Sequence, residues 1–401
     1  MSILADVPLA PRDPILGLTE AFVADPRPDK VNLGVGVYLG EDGKVPLLQC
    51  VRAAEAALAA EPTPRGYLPI DGLASYDRLV RELVFGADSE PVASGRVVTV
   101  QALGGTGALK IGAEFLKTTS ARAKVLISTP SWENHLALFT RAGFEVGYYR
   151  YYDAGRRGVD VEGMLADLAA AEPGTVVVLH ACCHNPTGYD LTESEWEKVA
   201  AAVVAGGLVP FLDLAYQGFS AGLDEDRAAV VRFAALGVPV LVASSFSKSF
   251  SLYGERVGAL SVVAADAAEA ARVLSQLKLT VRTIYSNPPT HGAAVVAKVL
   301  ADPDLRAGWE GELAGMRDRI KQMRSALVAA LAAAGAPGDF GFITGQVGMF
   351  SYSGLDAEQM RRLREEHAVY GTDAGRICVA AVNPGNVDGV ARAIAAVLEA
   401  S

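Results

Sequence analysis

With 401 residues, 51% of them hydrophobic and 20% charged, the chain is too long for one compact core and reads as a two-domain globular protein. A formal net charge of −10 argues against nucleic acid or an anionic membrane as the main partner, while leaving room for a locally basic pocket. Four cysteines (Cys50, Cys182, Cys183 and Cys378, two of them adjacent) are no disulfide framework and fit a reducing cytoplasm.

Met1 to Asp13 carries two acids, one base and no long apolar run, so it does not read as a signal peptide. The first ~45 residues look irregular, and weak composition cues have them packing back on the C-terminal part. Arg96 to Leu103 reads as a strand, Ala108 to Leu116 as the helix after it, and Lys124 to Ser128 and Val176 to His180 as further strands. Thr192 to Val204 is a helix opened by a capping box of Thr192 and Glu195. Strands follow at Leu208 to Leu214 and Val238 to Ser244. The best candidate for a membrane span, Phe233 to Ser245, is short, is broken by Gly237 and Pro239, and reads better as a buried strand. Alternation of this kind indicates an α/β protein with a parallel sheet covered on both faces. Pro303 to Ala334 is one long helix. Gly348 to Ser353 and Arg376 to Ala380 are short strands flanking a helix at Asp356 to Glu366, an α+β unit, and the domain boundary is placed near residue 315.

Five groups of residues carry chemical meaning. Gly104-Gly105-Thr106-Gly107, between strand and helix, is either a tight turn or a phosphate site built from backbone N–H groups at a helix N-terminus. It has neither the Walker spacing nor the dinucleotide one. In Ser244-Ser245-Phe246-Ser247-Lys248-Ser249-Phe250 a lysine ends a buried strand among hydroxyls. Most lysines are solvated surface charges, but one in a closed site can lose its proton and form a Schiff base. Ser245, Ser247 and Arg256 could bind phosphate oxygens. Asp213 ends an apolar strand and needs a partner there: a helix N-terminus, a core cation or a protonated ring nitrogen. His184-Asn185-Pro186-Thr187-Gly188 fixes a turn, and Asn185 could bond an oxygen on a ring. The nearby His180, Cys182, Cys183 and His184 invite zinc, but adjacent cysteines are not a ligand spacing, and no metal is expected. Arg282 and Arg376 sit among apolar or aromatic residues, as carboxylate-gripping or structural arginines do.

In this order, the phosphate loop, buried Asp, Ser-x-Ser-Lys and following Arg resemble fold-type I pyridoxal-phosphate enzymes. The resemblance runs from Asp13-Pro14-Ile15-Leu16 to Arg376. It is specific to the aspartate/aromatic aminotransferase branch in Asn32-Leu33-Gly34-Val35-Gly36-Val37-Tyr38, Cys182-Cys183-His184-Asn185-Pro186-Thr187-Gly188 and Ala215-Tyr216-Gln217-Gly218-Phe219. It implies a mostly parallel seven-stranded sheet in a large domain (47–315), a smaller α+β domain (14–46 with 316–401) and an N-terminal arm (1–13). It implies Lys248 as the cofactor-holding lysine and proton shuttle, Asp213 under the ring nitrogen, and Asn185 with Tyr216 at the phenolic oxygen. Trp132 would stack on the ring, and Gly105, Thr106, Ser245, Ser247 and Arg256 would form the phosphate cup. Tyr67 and Arg282 would act from the other subunit of a homodimer, on the phosphate and on a distal carboxylate. Arg376 would grip the α-carboxylate, with Gly36 also lining the substrate site, and His135 and His180 would support the ring.

The resemblance further implies ping-pong transfer between amino acids and 2-oxo acids. Aromatic substrates are favoured over strict aspartate use, on stretches such as Trp132-Glu133-Asn134-His135 and Phe350-Ser351-Tyr352-Ser353-Gly354-Leu355. Asn287 fits the aspartate enzymes better, and Gly371-Thr372-Asp373-Ala374 fits neither pattern. Arg282 is expected to swing toward solvent when an aromatic ring enters.

Overall fold

A computed structural model describes residues 2–9, 16–119 and 123–399. Asp13, Pro14 and Ile15, where the resemblance begins, lie outside the described residues.

Seven strands form the central sheet: β1 (Val97–Leu103), β2 (Lys124–Thr129), β3 (Glu145–Arg150), β4 (Val176–His180), β5 (Val209–Leu214), β6 (Val240–Ser245) and β7 (Val257–Val263). Their order across the sheet is β1-β7-β6-β5-β4-β2-β3. All pairings are parallel except those of β7, which runs antiparallel to both β1 and β6. Strands β4, β5 and β6 are apolar except near the ends that carry His180, Asp213 and Ser244–Ser245, because both faces are covered. Side chains alternate across the sheet: Val176, Val178, Phe211, Leu241 and Ala243 enter one apolar cluster, while Val177, Leu179, Leu212, Val240 and Val242 enter the other.

The expected strands and the Thr192–Glu195 capping box are present, within two residues at most ends. The Arg376 strand is shorter than expected, turning at Val379 into a 3-10 segment. The polar edge strand β3 and antiparallel β7 were not anticipated. β7 passes so close to the turn after β1 that a Cβ on Gly258 would stand 2.5 Å from the carbonyl carbon of Gly104.

Parallel strands place their C-terminal ends on one edge of the sheet, where α/β proteins bind ligands. Here that edge carries His180, Asp213 and Ser245, with His180 and Asp213 side by side in register. Helix α1 (Gly104–Thr119) starts on the same edge, and α2 (Glu133–Arg141) follows Trp132. A 31-residue helix, α3 (Pro303–Ala333), contains residue 315, so the expected boundary falls inside it.

The N-terminal segment joins the C-terminal part by a two-residue parallel pairing of Val31–Asn32 with Val369–Tyr370, extended by the Leu33 N–H to Tyr370 O and the Cys378 N–H to Leu33 O, both 2.7 Å. This carries residues 34–38 over the edge of the sheet. Phe350–Tyr352 pairs antiparallel with Arg376–Cys378 and brings Arg376 to the same place. Among the described residues no helix is long and apolar enough to cross a membrane.

Candidate active site

A cavity of about 470 Å³ opens at this edge. It is lined by Gly36, Gly105, Thr106, Trp132, Asn185, Asp213, Tyr216, Ser245, Ser247, Lys248, Arg256 and Arg376, residues spread over 340 positions of sequence (376 less 36). His180 lines it too, so thirteen of the sixteen residues given a site role from sequence share one cavity, and His135 lies against Asp213. Tyr67 and Arg282 are exposed and line no part of it; Tyr67 is 95% accessible, and Arg282 donates to Ser286 Oγ.

Lys248 lies in the turn after β6. Its side chain is half-buried and lines the cavity, with Nζ 4.7 Å from the centre of the Tyr216 ring. Burial lowers its pKa to about 8, helped by the cations of Arg256 and Arg376 and opposed by Asp213. The turn rests on α3: the Trp309 indole stacks on Phe250 at 4.5 Å and donates to Ser249 O at 2.7 Å.

Asp213 is also buried, and burial alone would raise its pKa. The hydrogen bond from His135 Nε2 at 3.0 Å and the cationic field around it outweigh that and hold it below the usual carboxylate range. An ionised carboxylate only accepts, so His135 Nε2 donates to it, while Nδ1 lies 2.9 Å from Ser131 Oγ. His180 contacts Ser131 Oγ at 3.4 Å, and burial beside His135 lowers its pKa to about 3, which keeps it neutral. The buried Tyr216 phenol is pushed well above its ordinary value by desolvation and stays protonated.

At the other end of the cavity three kinds of donor converge: the first N–H groups of α1, the hydroxyls of Ser245 and Ser247, and the guanidinium of Arg256. The leading N–H groups of a helix have no partner within it. Arg256 Nη1 donates to Ser247 Oγ at 3.3 Å and to Tyr253 O at 2.9 Å, and the Gly104 N–H donates to Arg256 O at 2.9 Å. Gly104 has φ +67, and a Cβ there would stand 2.6 Å from Arg256 Nη2, so only glycine fits. This cradle of converging donors suits a phosphate. The cavity-lining amine and the ionised Asp213 suit an aldehyde on a ring with a basic nitrogen, so the residues present fit pyridoxal phosphate.

Arg376 is 1% exposed. Nη1 donates to Asn185 Oδ1 at 3.0 Å, Nη2 donates to Gly34 O at 2.7 Å, and the guanidinium lies 4.4 Å from the Phe350 ring. Nε has no partner. Phe350 also explains Gly36, where a Cβ would meet its ring at 2.6 Å. The Gly371-Thr372-Asp373-Ala374 stretch is a tight turn in which Thr372 Oγ1 accepts from the Arg376 N–H at 3.3 Å, while Asp373 pairs with Arg364 at 2.9 Å. Cys182, Cys183 and Asp226 are the one ligand-spaced group of His, Cys, Asp or Glu among the described residues. Asp226 spends both oxygens on the N–H groups of Gly218, Ser220 and Ala221. His180 and His184 stand apart from it, their rings 4.2 Å from each other.

Sequence reasoning left out Val35, Val37, Leu109, Ala215, Tyr253 and Phe350, which also line the cavity. Tyr253 accepts the Tyr38 N–H at 2.9 Å and so ties the lysine turn to the segment above it. Its position five residues after Lys248 was the one available signal.

Residues 28–394 match the family "Aminotransferase class I and II". The chain belongs to that family. Within it, this aminotransferase is 60% identical over 398 residues to an aspartate aminotransferase of Pseudomonas aeruginosa, covering 99% of this chain and 100% of the relative. It is 52% identical over 387 residues to the aromatic-amino-acid aminotransferase of Escherichia coli, covering 96% and 98%. A crystal structure of an aromatic-amino-acid aminotransferase from Burkholderia pseudomallei, covalently bound to pyridoxal phosphate, superposes with a TM-score of 0.97 at 64% identity, covering 99% of this chain and 100% of the other. The fold is that of the fold-type I aminotransferases, and this aminotransferase is a pyridoxal-phosphate-dependent member of the aspartate/aromatic branch.

Proposed function

We propose that this aminotransferase moves amino groups between aromatic amino acids and 2-oxo acids, with aspartate and glutamate as further substrates. The observation that carries the reading is the Lys248 amine, lining the cavity with its pKa lowered to about 8, between the Asp213 carboxylate and the donor cradle of Arg256, Ser245 and Ser247. Pyridoxal phosphate, when bound, supplies an aldehyde carbon and an electron-accepting ring. Gly105, Thr106, Ser245, Ser247 and Arg256 would hold its phosphate, Trp132 its ring face, Asn185 and Tyr216 its phenolic oxygen, and Lys248 its aldehyde carbon.

Each residue's part follows from its protonation and place. Lys248, once released as a neutral amine, takes the proton from the substrate Cα and returns it on the other side of the transfer. Asp213, kept ionised by His135, holds a proton on the ring nitrogen. Arg376 binds the α-carboxylate through donors that Asn185 and Gly34 leave free. Val35, Val37 and Phe350 supply apolar wall for an aromatic side chain. Among the described residues, no arginine lines the cavity apart from Arg376 and the phosphate-cup Arg256. We therefore assign the distal carboxylate to Arg282, and a further phosphate contact to Tyr67, of a second copy in a homodimer. The large domain (47–315), small domain (14–46 with 316–401) and arm (1–13) form one subunit of that dimer. Four free, buried cysteines favour a cytoplasmic home.

Borohydride treatment of the loaded protein followed by peptide mass spectrometry should place the cofactor on Lys248, and Lys248→Ala should lose transamination. An unmodified Lys248 would contradict the reading. Strict aspartate use is the second reading, favoured by the 60% identity to an aspartate aminotransferase. The ratio of kcat/KM for phenylalanine to that for aspartate decides between them. Mixing Lys248→Ala and Arg282→Leu chains should restore one working site per dimer, and no restoration would count against the shared site.

A further inference from the structure

Glu133 opens α2 directly after Trp132, and its carboxylate faces Arg376. Oε2 is buried without a hydrogen-bond partner and stands 3.9 Å from Arg376 Nη1. That is too long for a hydrogen bond, so Glu133 does not use up a donor of the arginine. It is a standing negative charge beside the guanidinium, and the one carboxylate with an ion pair to Arg376 among the described residues. A guanidinium has five N–H bonds. The structure commits one on Nη1 and one on Nη2, and Nε is free.

We propose that Glu133 is a specificity-determining residue that grades ligands by net charge, disfavouring dicarboxylates most. This rests on the reading of Arg376 as the α-carboxylate anchor. A ligand docked on Arg376 brings its own negative charge to within a few ångströms of Glu133. In a partly buried site, like charges at that range repel strongly enough to change affinity by about tenfold. The zwitterion of an aromatic amino acid carries an ammonium that offsets its carboxylate. An aromatic monocarboxylate carries one uncompensated charge and a dicarboxylate two, so the penalty rises in that order. A glutamate in the first turn of a helix also favours the helix dipole, but that role is blind to the ligand's charge.

The test uses the cofactor-loaded protein with glutarate and 3-phenylpropanoate as probes, titrated by calorimetry, and phenylalanine turnover beside them. In Glu133→Gln the glutarate Kd should fall about tenfold and the 3-phenylpropanoate Kd about threefold, while the KM for phenylalanine changes less than about twofold. Glu133→Asp keeps the charge and should keep the wild-type order even where Glu133→Gln folds poorly. Equal changes for all three ligands, or none, would overturn the proposal. Arg376→Lys separates the two layers. If it leaves both carboxylates bound as before, the anchor reading fails; if it weakens both while Glu133→Gln shows no grading, only the role of Glu133 is lost.

Discussion

Asn185 Oδ1 accepts a hydrogen bond from Arg376 Nη1 at 3.0 Å, joining a turn of the large sheet to the last strand of the chain across 191 residues. The amide orients the guanidinium and is itself set by the turn of His184, whose ring bonds Ser128 and Thr187, each at 2.9 Å. Asn185→Leu removes the acceptor and leaves a buried charged donor unpaired, at a cost of about 1–3 kcal/mol. KM for both amino and 2-oxo substrates should rise tenfold or more, as steady-state kinetics would show. Unchanged KM values would mean that the pair does not position Arg376.

In the cofactor-free protein Lys248 should label with amine reagents at a rate that climbs with pH and levels off above about 8. An ordinary lysine would need a pH above about 10. Asp213 raises the amine's pKa, so Asp213→Asn should move the midpoint down, and Arg256→Gln, which removes a repelling cation, should move it up. Peptide mass spectrometry after timed labelling gives all three curves. A midpoint near that of surface lysines would refute the closed-site account.

Asp77 sits away from the cavity, 6% exposed, with Oδ1 unpartnered. Burial, with repulsion from Asp71, raises its pKa to about 8 against partial relief from Arg81 and Lys278. The folded chain keeps this proton up to about pH 8, whereas the unfolded chain releases it near pH 4. Between those limits the folded state binds more protons, so stability falls as pH rises. Asp77→Asn should remove that slope, and at about 1.4 kcal/mol per pKa unit its stabilising effect should be up to about 5 kcal/mol larger at pH 8 than at pH 4. Urea titrations at the two pH values would show it, and a pH-independent difference would count against it.

Gly311 and Gly315 lie inside α3, and a Cβ at either would meet nothing within 4 Å. Alanine at each position should stabilise the chain by about 0.5–1 kcal/mol through helix propensity alone. A lowered melting temperature would show that the open space is used.

Much of this molecule could be read from its residues. The central strands announce themselves because both faces are buried, and Lys248 and Asp213 stand out as charges ending such strands. β3 escaped because its solvent-facing residues dilute the pattern, and β7 escaped as a strand although all seven of its residues are buried. The approach of Glu133 to Arg376 and the seating of Gly36 on Phe350 join segments more than 200 residues apart. Neither leaves a local signal, since each side of the contact is an ordinary sequence on its own.

Helix α3 reaches about 46 Å at 1.5 Å per residue. Near one end Trp309 props the turn that carries Lys248. Fifteen residues on, the buried Arg324 binds the carbonyls of Ile343, Gly348 and Phe350, the last of these beneath Arg376. The floor under the amine and the wall beside the anchor are thus bolted to one beam. The two halves of the chain should melt in a single calorimetric transition, and any opening of the cleft must bend that beam or turn about its far end.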